Sequence, residues 1–302
     1  MRGLCGVHRA ARRCQRAPPA PPLHAAIGGD DCIDPFAWIE RGDDAALEYL
    51  AEEEAYVHAW RRDSKALQHR FRRELRALVP AEESVSSGVE DAGEWSYYAR
   101  SRPGDELQVY CRRRRDGAAC EEVILDPNAL LREEEHDSLS VGGLAVSNDG
   151  RFLAFMIDTA GGEDFALHVR DLESGATSAG ALIRGVGSFE WAPPSAGDGH
   201  ALVHTAMDDA GRPSRVMRTD IGANAAGAPC AGASTLLLEE HDRAFFADVR
   251  LTKDRSLVAL TLRSKLATEA WLYAGGDGGT SSATRVMARA AGIEYQVERS
   301  GA

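Results

Sequence analysis

A mainly β chain built of propeller-like blades, preceded by a pair of helices, is the fold this sequence predicts, and three observations carry it. After Pro80 the apolar residues alternate with a period of two, as in "WSYYAR" and "LQVYCR", between clusters of Gly, Asp, Asn and Pro. The alternating runs recur in units of roughly 40–50 residues with about four strands each, the spacing of propeller blades. Before Pro80 the apolar period is helical instead. A β-sandwich is the competing architecture for the same strands.

The first 29 residues stand apart. They hold five Arg and no acid, then a Pro cluster. Such a leader reads either as an organellar transit peptide, although one poor in Ser, or as a disordered, untargeted extension. It is too polar for a secretory signal. Residues 30–80 follow as a helical clasp. Asp34-Pro35 biases the chain toward an extended turn, with Phe36 and Trp38 close behind. Asp43 and Asp44 supply an N-cap and negative charge at the positive end of a helix. Leu47, Leu50 and Val57 form one apolar stripe on that helix, and Tyr49, Tyr56 and Trp60 a second, so it needs covering on more than one side. A second helix starts near Ser64, carries Leu67, Phe71, Leu75 and Leu78 on one face, and ends at Pro80.

Residues 81–302 form the β region. Besides the two runs quoted, "EVILD", "FLAFMID", "FALHVRDL", "ALVHTA", "TLLLEE", "SLVALTL" and "EAWLYA" read as strands. Asn148-Asp149-Gly150 suits a tight turn that requires a positive φ. The Ala/Gly-rich stretch 222–233 reads as an insert displacing the last repeat.

Charge and motif content narrow the function. A net charge of −12 argues against nucleic acid or an anionic membrane as the main partner. No apolar run approaches the length of a bilayer span. The cysteines (Cys5, Cys14, Cys32, Cys111, Cys120, Cys230) lack any C-x-x-C spacing and read as reduced thiols. No G-x-S-x-G elbow seats a nucleophilic serine; the clusters "SVSSG" and "GGTSS" lie in turn-rich segments, and "GGDGGTSS" lacks the ending of a phosphate loop. Glu134–Asp137 and Glu239–Asp242 both spell "EEHD"; they read as solvated connections between blades in preference to metal sites. Arg112–Arg115 reads as a solvated hairpin end in preference to a nucleic-acid patch. No catalytic, cofactor-binding or metal residue is assigned, and no cofactor is expected.

The ordered series Asp34-Pro35-Phe36-Ala37-Trp38, "YLAEEEAYVHAW", "YYARSRPGDELQVYCRR" and "LSVGGLAVSNDGRFLAFMIDTAGGEDFALHVRDLESG" resembles the N-terminal half of the prolyl oligopeptidase family of serine peptidases, on its oligopeptidase B side, from about Asp34 to Arg299. The resemblance implies a cytosolic or organellar hydrolase in which a seven-bladed propeller caps an α/β-hydrolase domain carrying Ser, Asp and His. It implies that the propeller admits only short peptides and that cleavage follows Arg or Lys. It further implies that the clasp helices pack on the hydrolase domain. About half of the seven blades fit into these residues, and none of the family's catalytic residues maps onto a position here. The chain alone is therefore expected to be inactive, its partners being that catalytic domain and, for the whole enzyme, short basic peptides. The rival reading is a non-catalytic propeller serving as an interaction module.

Overall fold

Asp43 opens the helical part, its carboxylate accepting the Ala46 N–H at 3.0 Å and so capping a helix that begins one residue later. The computed structural model describes residues 23–27, 30–34, 36–79, 84–85, 90–117, 120–133, 138–193, 199–275 and 283–299. They divide into two units, residues 1–81 and 82–302.

In the first unit, β1 (Leu23–Ile27) and β2 (Asp30–Asp34) pair as an antiparallel hairpin, β1 within the stretch read as leader and β2 at the start of the clasp. Residues 1–22 lie outside the described residues. A 3-10 turn, Ala37–Arg41, ends at Gly42, whose φ of 60° lets its N–H return to the Ile39 carbonyl. Helix α1 (Asp44–Arg61) follows, then a 3-10 turn Arg62–Ser64 and helix α2 (Lys65–Leu78). Trp38 is only 2% exposed and meets Tyr49 edge to face at 5.3 Å. Leu47 and Leu50 of α1 and Leu67, Phe71, Leu75 and Leu78 of α2 are all exposed.

Among the described residues, the second unit holds four antiparallel sheets in chain order. Blade 1 holds β3 (Ser84–Val85), β4 (Glu90–Ala92), β5 (Trp95–Ser101), β6 (Val109–Arg114) and β7 (Glu122–Leu125), with β3 and β4 both pairing to β5. Blade 2 holds β8 (Ser140–Val146), β9 (Phe152–Asp158), β10 (Ala166–Asp171) and β11 (Ile183–Arg184). Blade 3 holds β12 (Phe189–Trp191), β13 (His200–Met207), β14 (Pro213–Ala223) and β15 (Pro229–Glu239). Blade 4 holds β16 (Phe246–Leu251), β17 (Val258–Arg263), β18 (Thr268–Tyr273) and β19 (Ala283–Met287).

Apolar packing between consecutive blades separates this architecture from a sandwich, which has one core between two sheets. Ile124 and Leu125 of blade 1 cluster with Leu153, Phe155 and Ile157 of blade 2. Phe152, Ala154 and Met156, the alternate residues of the same strand β9, cluster with Phe189, Trp191 and Leu202 of blade 3. Val203, Val216 and Leu237 of blade 3 then pack on Val249, Val258 and Leu260 of blade 4. Every residue of β9 is buried because both of its faces are covered, which explains its continuous apolar run. The four sheets form an open arc, a partial propeller.

Two features depart from the sequence reading. Residues 222–233 are not a loop outside the sheet: they close the long β14–β15 hairpin, with Ile221 opposite Ala231 and Gly222 opposite Cys230. Ala and Gly are weak strand formers, but a backbone ladder asks nothing of their side chains. A short helix, α3 (Pro127–Glu133), was not expected. The Asp126 carboxylate accepts the Asn128 and Ala129 N–H groups at 3.0 and 3.1 Å, and Pro127 occupies the first helical position, where a missing N–H costs nothing.

Candidate functional site

The first strands of blades 2, 3 and 4 bring their ends to one cavity of about 710 Å³, bounded by Val146 of β8, Glu190 of β12 and Leu251 of β16, with Tyr97 and Tyr98 of blade 1 on the remaining side. Two corresponding turns follow Val146 and Leu251 in the chain. In blade 2, Ser147 Oγ donates to Asp149 Oδ1 at 2.6 Å, the same oxygen accepts the Arg151 N–H, and Gly150 takes a φ of 75°. In blade 4, Thr252 Oγ1 donates to Asp254 Oδ1 at 2.7 Å, that oxygen accepts the Ser256 N–H, and Arg255 takes a φ of 57°. "SNDGR" and "TKDRS" thus build one turn twice, because a short acceptor side chain can hold the backbone two residues on.

The second carboxylate oxygen of each turn reaches forward along the chain. Asp149 Oδ2 accepts from His200 Nε2 of blade 3 at 2.8 Å, and Asp254 Oδ2 pairs with Arg299 Nε at 3.2 Å. Burial pushes the Asp149 carboxyl up, but Ser147, Arg151 and His200 together hold it below the usual range. Asp254 is also held low, chiefly by the Thr252 hydroxyl.

Arg255 occupies a left-handed backbone position that a glycine fills in blade 2, a conformation costing a non-glycine residue about 1 kcal/mol. Its guanidinium crosses the cavity mouth to blade 2, donating to the Val146 carbonyl at 3.0 Å and to Asn148 Oδ1 at 3.3 Å. These bonds tie the fourth blade to the second and offset the strain.

Ser147, Asp149 and His200 are a serine, an aspartate and a histidine in hydrogen-bond sequence, yet they cannot act as a hydrolytic triad. The aspartate sits in the middle, the hydroxyl donates to the carboxylate and not to the imidazole, and Ser147 is buried while also accepting the Phe152 N–H at 2.9 Å. Among the described residues no group of three His, Cys, Asp or Glu side chains is arranged to hold a metal.

The residues singled out from the sequence fall as follows. Arg112 is not a solvated hairpin end. It is buried, stacks on the Trp95 ring at 4.1 Å, pairs with Glu122 at 2.7 Å and donates to the Gly150 carbonyl of blade 2. Arg113, Arg115 and Asp116 are exposed, as a hairpin end requires. Glu240 of the second "EEHD" is likewise no solvated link: it is buried and ion-paired with Arg289, which stacks on Phe245 at 3.8 Å and pairs with Glu269 at 2.9 Å. The first "EEHD", Glu134–Asp137, lies outside the described residues, as do Ser86–Gly88 and 276–282 of the serine- and glycine-rich clusters. Sequence reasoning missed Arg255, whose only signal was the match of "TKDRS" to "SNDGR".

The far face of blade 4 carries a second cavity, about 920 Å³, between Asp248, Thr261 and Arg263 of its sheet and the chain segment Tyr295–Glu298. Tyr295 Oη accepts the Ala270 N–H and donates to the Met287 carbonyl, and Glu298 accepts the Lys253 N–H at 2.7 Å, so this segment is fastened across the face at two places. Phe246 and Leu266 remain exposed there.

Residues 20–302 match the family described as the prolyl oligopeptidase N-terminal beta-propeller domain. Dipeptidyl aminopeptidase BI of Pseudoxanthomonas mexicana is 25% identical over 300 residues, covering 93% of this chain and 39% of the relative. Protease 2 of Moraxella lacunata is 26% identical over 292 residues, covering 94% of this chain and 40% of the relative. The chain thus spans about two fifths of the length of the curated relatives it matches. Among solved structures, oligopeptidase B of Leishmania major superposes with a TM-score of 0.75 at 21% identity, over 93% of this chain and 41% of that one. Oligopeptidase B of Trypanosoma brucei, in a closed form with covalently bound antipain, gives 0.72 at 21% identity, over 95% and 41%. At that identity the superpositions speak for the fold alone.

Proposed function

The chain belongs to the prolyl oligopeptidase family, whose N-terminal propeller domain it carries, and on that premise we propose that it is the gating part of an oligopeptidase B-like serine endopeptidase that cleaves short peptides after Arg or Lys. The observation supporting this reading is the family match across residues 20–302, which includes all four blades. Its partner in this reading is an α/β-hydrolase catalytic domain, which the family match to an N-terminal propeller domain supports. The propeller contributes exclusion by size, and the hydrolase domain contributes the activated serine and oxyanion hole. The enzyme works in the cytosol, or in a mitochondrion or plastid if residues 1–29 act as a transit peptide. A reporter fused to those residues decides between the two by its location.

The test of the peptidase reading is immunoprecipitation of the protein from its source, followed by labelling with a serine-reactive fluorophosphonate and assay on short peptides containing Arg, Lys or Pro. A labelled hydrolase cleaving after Arg and Lys is expected. Absence of any labelled hydrolase would overturn the reading, and cleavage after Pro alone would overturn its specificity. The purified 302-residue chain is expected to cleave none of these peptides.

A further inference from the structure

A propeller covers the faces of its blades but not their rims. Consecutive blades pack face to face, so a further blade joins the arc at a free face of blade 1 or blade 4, and a domain capped by the ring lies along its axis. Neither reaches the outermost strand of blade 3. Among the described residues the outer strands of the other blades are short: β7 has four residues, β11 two and β19 five. Short outer strands offer little ladder to another chain. Strand β15 has eleven residues, and among the described residues it pairs with β14 alone.

The sequence of this edge lacks the usual protection. From Ile221 to Leu238 the hairpin carries no charged residue, in a chain that is 27% charged, and Pro229 stands only at the start of β15. Ala231, Gly232, Ala233 and Ser234 are exposed, with side chains too small to shield the backbone beside them. The far end of the strand is bulky instead, with Leu236, Leu237 and Leu238 before Glu239. Ser234, Thr235 and Leu236 keep regular register with Thr219, Arg218 and Met217, while the ladder shifts on either side of them. The hairpin is also firmly closed: Asn224 Oδ1 accepts the Ala226 and Ala228 N–H groups at 2.9 and 3.0 Å.

We propose that the β15 edge is a strand-pairing surface whose occupant is β15 of a second copy of the chain, laid antiparallel about a two-fold axis at Ser234. In a two-fold interface every contact occurs twice. With Ser234 opposite itself, Leu236, Leu237 and Leu238 of each copy come opposite Gly232, Ala231 and Cys230 of the other. Large side chains then meet small ones on both sides of the axis, and the two Glu239 carboxylates stand at opposite ends. Parallel pairing would set leucine against leucine and Glu239 beside Glu239. Backbone hydrogen bonds supply the attraction, as in other cases of strand addition. The pairing is weak. Eleven residues at about 3.3 Å each, along a sheet edge about 10 Å thick, give roughly 700 Å² over two copies, below the roughly 1,000 Å² of a stable interface. The two register shifts also bend the edge. The contact therefore forms at high protein concentration and comes apart on dilution. The inference goes beyond the peptidase reading and does not rest on it.

The test is sedimentation equilibrium of the full chain across a wide concentration range, in which the mean mass is expected to climb from 32.5 kDa toward twice that value. Ala231→Lys with Ala233→Lys sets like charges diagonally across the axis and is expected to weaken association about tenfold or more, as is Ala231→Glu with Ala233→Glu. An equimolar mixture of the two variants is expected to recover the dimer as a mixed species, which also excludes misfolding as the cause of the loss. Ser234→Cys reads the register. Directly opposite residues stand about 4.5–5.5 Å apart between Cα atoms, within the span of a disulfide, so mild oxidation is expected to link two copies. Ala226→Cys, at the hairpin tip and remote from the axis, is expected to link no more than the parent chain with its native cysteines. A chain that stays monomeric at every concentration would overturn the proposal. So would charged variants that associate as tightly as the parent, or a Ser234→Cys chain that links no more than Ala226→Cys.

Discussion

Strands β9 and β17 occupy the same place in blades 2 and 4, second in a four-stranded meander, and differ in what lies beside them. In β9, "FLAFMID", all residues are buried, with odd- and even-numbered side chains entering two different clusters. In β17, "VALTLR", Val258, Leu260 and Leu262 enter the cluster shared with blade 3, while Ala259, Thr261 and Arg263 line the far-face cavity. A blade strand therefore writes the number of its neighbours into its hydrophobic pattern: continuous between two blades, alternating where one side meets an open cavity.

The largest effect should come from placing a charge on the two second faces. Ala154→Asp in β9 puts an unpaired carboxylate at a fully buried site and is expected to cost about 3–5 kcal/mol, close to the whole stability of a domain. Thr261→Asp, on the cavity side of β17, should cost under about 1 kcal/mol. Urea titrations of the two variants measure the contrast, and equal losses would break the comparison.

Deleting side-chain volume should separate the strands less. Leu153 and Leu260 are both fully buried. Leu153→Ala opens a hole between two fixed blades and is expected to cost about 4 kcal/mol, against about 2–3 kcal/mol for Leu260→Ala, where the blade has a free side on which to relax. The same titrations report it.

The corresponding turns offer a finer contrast. Arg255→Ala keeps the left-handed backbone while losing the bonds to Val146 and Asn148, and is expected to cost about 1–2 kcal/mol. Arg255→Gly loses the same bonds but relieves the strain, so it should be milder by about 1 kcal/mol. The order would reverse if the side chain alone mattered.

The smallest effect concerns acid. His204, buried in β13 between the Thr205 carbonyl and Thr219 Oγ1, has its pKa lowered from 6.5 by burial. The unfolded chain takes up that proton first, so stability is complete above pH 6.5 and declines as pH falls from there toward the lower folded value. His204→Gln should flatten unfolding midpoints between pH 7.5 and 5.5. An unchanged slope would show that other groups dominate that window.

Much of this was readable from residues alone. The strands from "WSYYAR" to "EAWLYA" lie where their alternation put them, and Gly150 has the positive φ its turn residues implied. Helix α3 was not read, although Asp126 and Pro127 mark its start, because its seven residues are too few to display a helical period. The 710 Å³ cavity was not readable. Arg255 bonds to Val146, 109 positions away, and in sequence it is one arginine among many charged residues.

Sequence by itself determined the local grammar of this protein: where strands alternate, where turns need a left-handed residue, where helices cap, and the blade-length repeat, while the ordered motifs from Asp34 onward carry the resemblance to its family. Those signals are local because backbone dihedrals and side-chain periodicity depend on near neighbours. Only the tertiary structure decided which polar groups leave water. Arg112, Glu240 and Trp38 are buried because Glu122, Arg289 and Tyr49 come to meet them. The cost of burial and the attraction that offsets it both depend on distance in space, which a sequence does not record.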